Sequence, residues 1–378
     1  MEPSLKDIVL QTDQSRMQDL LLRFHEQLEA AYELVENVPL SAFPRRPRRI
    51  LVLGMGGSAI AADLLRTYVS FTPGADHLDI RVHRSYSLPS GLMDRQTLVI
   101  ASSYSGNTEE TLTAFEYARQ RSPYVACLTS GGRLLERCRE LGLPHLPLPQ
   151  GYPPRGTVGF SFFALLLLFL RLGYFRKAVR QHTEAAWTAT HQRLQELAAV
   201  YGSLDHSDNP TLQLAHRLTD KVPIIYASDR MEAVGLRWRQ QLHENAKHIA
   251  FGNVVPEMNH NEICGWLFPT EFSPRQVHFL WLYDPEDHPR VQLRIRHTPQ
   301  LLAPRVPLES HTPFCPTEPH FLTRLFSLLY FGDWLSYWLA ILHHTDPMPV
   351  PPIEELKRRL AAYPYEPAAT ALPMASPS

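Results

Sequence analysis

Apolar residues recur every three or four positions through 5–38, at Leu20, Leu21, Phe24, Leu28, Tyr32 and Val35, and that spacing predicts one or two leading helices. The proline- and arginine-rich run 44–49 breaks them. Short β-rich stretches follow at 50–53, 80–83, 97–101 and 124–128, alternating with helical segments in the rhythm of a parallel sheet. An amphipathic stretch at 184–201, with Trp187, His191, Leu194, Leu197 and Val200 on one side, predicts a helix leading to a second unit. That unit opens on a strand at 222–226, continues through a helix at 231–248 and carries a further strand at 277–283. Residues 50–65 and 224–242 share one plan of apolar strand, small or polar loop, then amphipathic helix. Two successive α/β units are therefore expected.

The run 158–170 is the most apolar of those read from the sequence. Arg171 ends it short of the roughly 20 residues that cross a bilayer, so it reads as a buried helix. Residues 364–378, rich in Pro, Ala and Ser, read as a disordered tail.

Composition narrows the function classes. With 44% hydrophobic and 20% charged residues over 378 positions, the chain can bury a substantial core. A formal net charge of -1 removes the general attraction expected of a nucleic-acid or anionic-membrane binder, so neither partner is expected. Residues 1–22 mix Lys6, Asp7, Asp13 and Arg16 into their apolar positions, which is unlike a signal peptide, and a cytoplasmic protein is expected. Cys127, Cys138, Cys264 and Cys315 show no CxxC pairing and read as free thiols.

Three motifs carry chemistry. Gly54-Met55-Gly56-Gly57-Ser58-Ala59 follows the strand at 50–53, where absent Cβ atoms let the backbone approach a ligand. A dinucleotide site would use a similar spelling, but it wants an acidic residue at the end of the second strand, and that strand reads Ile80-Arg81-Val82-His83-Arg84. An arginine there could suit a 2′-phosphate, so the cofactor reading is weakened and stays open.

The second motif, Ser102-Ser103-Tyr104-Ser105-Gly106-Asn107-Thr108-Glu109-Glu110, again joins a strand to a helix. Ser103, Ser105 and Thr108, with backbone N–H groups and the positive helix end, can satisfy a phosphate without any lysine. Helix capping alone would need one hydroxyl.

The third comprises Glu244-Asn245-Ala246-Lys247 and Pro256-Glu257-Met258-Asn259-His260-Asn261-Glu262. Moving a proton between C1 and C2 of a sugar through an enediol needs a base, a group that opens the ring, and positive charge near the oxyanion. Glu244 suits the first task and His260 the second. A metal cluster of His243, His248, Glu257, His260 and Glu262 lacks any well-known ligand spacing. No metal or cofactor is expected, and His243 and His248 read as ordinary helix residues.

The second motif resembles the phosphate loop of the SIS, or sugar isomerase, domain. Taken together, the three resemble the bifunctional phosphoglucose/phosphomannose isomerase family over nearly the whole chain. That resemblance implies two SIS-type, flavodoxin-like parallel-sheet units flanked by helices: leading helices over 1–43, a first SIS domain over 44–183 and a second over 184–363. It implies a hexose 6-phosphate substrate, with Gly56, Gly57 and Ser58 lining the sugar and Ser103, Ser105 and Thr108 holding the phosphate. Glu244 matches the base, His260 the ring-opening histidine, Arg155 the arginine beside the enediolate and Lys357 the C-terminal lysine that reaches the substrate. It also implies a homodimer whose active site, between the two units, takes its histidine from the second subunit. A non-catalytic sugar-phosphate sensor would need the loops but not Glu244, His260 and Arg155. A different SIS isomerase would share the first two motifs.

Overall fold

The computed structural model describes residues 4–75, 77–268 and 276–363. The tail at 364–378 lies outside the described residues. Three leading helices, α1 (Leu5–Thr12), α2 (Met17–Leu22) and α3 (Glu26–Glu36), stand where one or two were expected. β1 (Arg49–Leu53), α4 (Gly56–Ser70), β2 (Ile80–His83), β3 (Thr97–Ser102), α5 (Glu109–Ala118), β4 (Val125–Thr129), α6 (Gly132–Glu140) and β5 (His145–Pro147) then alternate, followed by α7 (Val158–Arg171). The strands form one all-parallel sheet in the order β2-β1-β3-β4-β5, the flavodoxin-like order.

α8 (Lys177–Tyr201) and α9 (Pro210–Leu218) lead to β6 (Val222–Ser228), α10 (Glu232–Glu244), β7 (Phe251–Val255), α11 (Glu262–Gly265), β8 (Val277–Leu282), α12 (Pro289–Leu302) and β9 (His311–Phe314). α13 (Phe321–Leu342) and α14 (Pro351–Leu360) close the described chain. The second sheet, also all parallel, has the order β7-β6-β8-β9, so the β1-α4 and β6-α10 segments occupy matching places in the two sheets.

The chain divides into two compact units, and the division is interleaved. Residues 27–180 with 350–363 gather round the first sheet, whereas the first two helices join 181–349 round the second. One face of the first sheet buries Leu51, Leu53, Val99 and Ala101 against Leu112 and Phe115 of α5 and Leu134 of α6. Around the second sheet Tyr226, Phe279 and Trp281 pack with Met258 and with Ile295 of α12.

Every residue from Val158 to Leu170 is buried, as the sequence suggested for this run. α13 goes further: it is buried from Phe321 to Ile341 and so has no polar face at all. Inside it, Asp333 receives two hydrogen bonds from Arg237 of α10, at 3.0 and 2.9 Å, and the pair is almost fully shielded from water. Tyr330 donates to the carbonyl of Leu21 at 2.7 Å and stacks on Phe24, tying the end of α2 to α13.

Two expectations are corrected. Cys127 and Cys138 are joined as a disulfide, because α6 turns back along β4 and brings their Cα atoms to 6.9 Å. The helix expected at 231–248 stops at Glu244: Asn245 is buried with its amide on Ser336, and Lys247 adopts a left-handed conformation (φ 52°) that a continuing helix forbids. His248 therefore lies beyond the helix, hydrogen-bonded to the carbonyl of Lys221 at 2.7 Å.

Candidate active site

Ligands of parallel sheets bind beyond the carboxyl ends of the strands, and in the first sheet these ends carry the two loops singled out above. Their geometry is tight. A Cβ on Gly54 would lie 2.9 Å from the carbonyl of Ser102, so the β1 and β3 loops touch. Ser58, at the start of α4, accepts a hydrogen bond from the N–H of Tyr104 at 3.1 Å, and its carbonyl accepts from Ser102 at 3.1 Å. Among the described residues the Ser58 hydroxyl donates no hydrogen bond of its own.

Within the β3 loop, the hydroxyls of Ser103 and Thr108 are 2.8 Å apart, and Ser103 Oγ also accepts from the N–H of Gly106. Thr108 occupies the N-cap of α5 yet makes no side-chain cap, so its hydroxyl and the first N–H groups of the helix converge on the loop. Ser105 is exposed at the tip, its Oγ accepting from the N–H of Asn107 at 3.2 Å. Gly106 has φ +67°, and a Cβ there would strike the carbonyl of Gly131 at 1.8 Å, so only glycine closes this loop. Together these groups make a cradle of hydroxyls and amides with the helix dipole behind it, the chemistry that holds a phosphate.

The arginines at the end of β2 are committed elsewhere. Arg81 pairs with Asp79 at 2.6 Å and Arg84 with the buried Asp63. Both side chains are thus engaged in ion pairs within the first unit.

Arg155 lies in a 3₁₀ turn, Pro154–Thr157, and is buried. Gly57 explains its nearness to the loops: a Cβ there would fall 2.7 Å from the carbonyl of Pro154 and 2.9 Å from the backbone of Arg155. The structure thus brings Gly56, Gly57, Ser58, Ser103, Ser105, Thr108 and Arg155 together in one unit. Lys357 belongs to the same unit, exposed on α14.

Glu244 and His260 stand in the other unit. Glu244 is the last residue of α10 and is half-buried. Beyond it Asn245 bonds Ser336 at 2.9 Å, while the Lys247 ammonium donates to the carbonyls of Asn245, Asp346 and Pro347. Arg237 and Trp238, which donates to the carbonyl of Leu328, fasten the rest of the helix to α13.

His260 is exposed in the turn after β7 and makes no hydrogen bond among the described residues. Its neighbours are anchored instead. Asn259 donates to Thr298 at 2.9 Å, and the Glu262 carboxylate accepts from Tyr226 at 2.6 Å and Asn253 at 2.7 Å. Burial, with that carboxylate against it, pushes the Tyr226 hydroxyl well above the usual phenol range, so it stays a donor. Sequence reasoning named Glu262 only within the third motif and as a metal candidate, and it passed over Tyr226 and Asn253, whose partnership with Glu262 depends on strand register. Among the described residues no group of three His, Cys, Asp or Glu side chains converges as metal ligands would.

Among the described residues, the second sheet has no phosphate cradle at the corresponding place. After β8, Asp284 accepts from Arg324 at 2.7 and 3.1 Å and from the N–H of Glu286, and Asp287 accepts from the N–H of Asp284. Carboxylates occupy the anion position themselves. Burial, with the Asp284 charge nearby, pushes Asp287 up to about 6.

Residues 45–134 match the SIS domain, and residues 207–360 match the bacterial phospho-glucose isomerase C-terminal SIS domain. The C-terminal domain of glucosamine-fructose-6-phosphate aminotransferase from Francisella tularensis aligns with a TM-score of 0.63 at 13% identity, over 87% of this chain and 98% of its own, a likeness of fold. Fold and loops together define a tandem SIS-domain protein.

The relatives are more specific. A bifunctional phosphoglucose/phosphomannose isomerase of Caldicellulosiruptor bescii is 37% identical over 342 residues, spanning 89% of this chain and 96% of its own. One of Aquifex aeolicus is 33% identical over 317 residues, spanning 82% and 90%. The chain belongs to the bifunctional phosphoglucose/phosphomannose isomerase family.

Proposed function

We propose that this chain interconverts glucose 6-phosphate and mannose 6-phosphate with fructose 6-phosphate by proton transfer through an enediol. The observation that carries the reading is the cradle of Ser103, Ser105 and Thr108 at the uncapped start of α5, which suits a phosphate monoester. Glucose and mannose 6-phosphates differ only at C2, and both yield the same 1,2-enediol as fructose 6-phosphate. One base therefore serves both.

In this reading Ser103, Ser105 and Thr108 hold the phosphate, and Gly56, Gly57 and Ser58 receive the sugar. Ring opening moves a proton from the anomeric hydroxyl to the ring oxygen, a task for His260 assisted by Lys357. Glu244 then takes the proton from C2 of the aldose and returns it to C1. The electron pair passes to the carbonyl oxygen, and Arg155 stabilises the resulting enediolate charge.

His260 comes from a second subunit of a homodimer. Supporting this, exposed apolar residues crowd the edge of the second sheet that carries His260: Ile249 and Phe251 at β7, Leu267 and Phe268 after α11, and Leu293 and Leu301 on α12. The expected setting is the cytoplasm.

The test is conversion of fructose 6-phosphate in chelated buffer by the wild type and by Glu244→Gln. Both aldose phosphates should form, and the variant should lose activity while still binding substrate. Binding without turnover by the wild type would instead favour a sugar-phosphate sensor, and formation of glucose 6-phosphate alone would remove the mannose activity.

A further inference from the structure

Gln27, in the first turn of α3, is a polar residue only 2% exposed and far in sequence from every motif. Its amide reaches the turn that carries Arg155. Nε2 donates to the carbonyl of Gly156 at 2.7 Å, and Oε1 accepts from the N–H of Phe160 at 3.0 Å. One side chain thus bonds both the Arg155 turn and the start of α7. The contact is close enough to dictate another residue: a Cβ on Gly159 would lie 2.6 Å from Gln27 Oε1.

Gly57 holds the same turn from the substrate loop, its missing Cβ admitting the backbone of Pro154 and Arg155. Arg155 therefore projects from a backbone bonded by Gln27 and packed against Gly57. A group that stabilises charge developing in a transition state works by being in place beforehand, and a displacement of about 1 Å can cost on the order of 100-fold in rate.

We infer that Gln27 is a positioning residue for Arg155, setting the arginine for the enediolate without touching substrate. This rests on the isomerase reading proposed above. The alternative is an ordinary core amide, and the two differ in what they change. A core amide supports stability alone. A positioning residue supports kcat and leaves KM to the phosphate loop.

The experiment compares wild type, Gln27→Glu, Gly159→Ala, Arg155→Ala and the two double variants with Arg155→Ala, recording kcat, KM and Tm for conversion of fructose 6-phosphate to glucose 6-phosphate. The introduced carboxylate keeps the acceptor for Phe160 but, when ionised, cannot donate to Gly156. At pH 9 Gln27→Glu should lose about 10- to 100-fold in kcat with KM changed less than twofold. At lower pH, protonation of the introduced carboxylate restores both bonds, so activity should recover relative to wild type at the same pH. In the Arg155→Ala background the Gln27 substitution should have no further effect.

Gly159→Ala pushes on the same amide and should reproduce the kcat loss, which keeps the inference testable should Gln27→Glu fail to melt cooperatively. Folded variants with wild-type kcat, or losses that multiply fully with that of Arg155→Ala, would overturn it. A wild type that does not isomerise defeats the functional reading instead. In that case calorimetry with a five-carbon aldonate phosphate, whose carboxylate stands where the enediolate would form, decides the matter: Gln27→Glu should weaken it selectively against fructose 6-phosphate, and equal affinities would refute the positioning role.

Discussion

Ser103 and Thr108 bring their hydroxyls to 2.8 Å across the loop after β3, and Thr108 does so from a helix N-cap whose usual bond it does not make. The position would normally be spent on its own helix. Here the hydroxyl is turned into the loop, where an anion can use it.

Thr108→Val removes that hydroxyl with little change in shape. A hydrogen bond to a charged group contributes about 1.5–3 kcal/mol, so KM for fructose 6-phosphate should rise at least tenfold while kcat changes only a few-fold. Steady-state kinetics with inorganic phosphate as competitor check this. The competitor should weaken in parallel, and an unchanged phosphate affinity would place the phosphate elsewhere.

Gly57→Ala tests the contact between the glycine loop and the Arg155 turn. The added methyl would press on the carbonyl of Pro154 and the backbone of Arg155. The expected result is a loss of kcat of about tenfold or more, with inorganic phosphate still inhibiting at its wild-type concentration.

Asp333→Ala leaves Arg237 buried without its carboxylate. Breaking such a pair costs about 3–5 kcal/mol, to be read as a lower midpoint in urea denaturation. Replacing both residues, as in Arg237→Met with Asp333→Leu, should recover most of that loss, because the unpaired charge rather than the missing attraction is the main penalty.

Asp287 gives stability a pH dependence. Its carboxyl is pushed up to about 6 from an ordinary 3.8, so between those values the native state binds more protons than the unfolded one. Stability therefore falls as pH rises through that window. Asp287→Asn should stabilise the protein at pH 8 by up to about 3 kcal/mol, and the gain should vanish below about pH 4. Thermal melts of both proteins across that range provide the measurement.

What the sequence disclosed follows from where a pattern meets water. β1, β2, β3 and β4 were legible because turns and helices punctuate short β-branched runs, and the loops after β1 and β3 because glycine and serine stand out between them. α13 was missed although it is 22 residues long: buried on every side, it has no polar face to set a period, and Arg324 and Asp333 interrupt its apolar run. β7 was hidden by Gly252 and Asn253 and by the exposed Phe251 of an edge strand, and β9 by Pro313.

Contacts distant in sequence were the least legible. Nothing near Cys127 indicates that Cys138 will reach it, and nothing near Gln27 indicates Gly156. Arg155 and Lys357 came from family resemblance alone, since a single arginine in a proline-rich turn and a lysine on a charged helix carry no local signal. The structure supplies a reason for the first, a buried turn held by Gln27 and packed against Gly57.

The bond from Tyr330 to Leu21 also sets an order of events during synthesis. α1 and α2 leave the ribosome well before the helix they pack on, which is made some 300 residues later. At about 5–20 residues per second they wait roughly 15 to 60 s, while the segment 27–180 has already emerged and can collapse around its own sheet. These two helices are thus among the last parts to find their place, with Met17, Leu21 and Phe24 uncovered until α13 arrives.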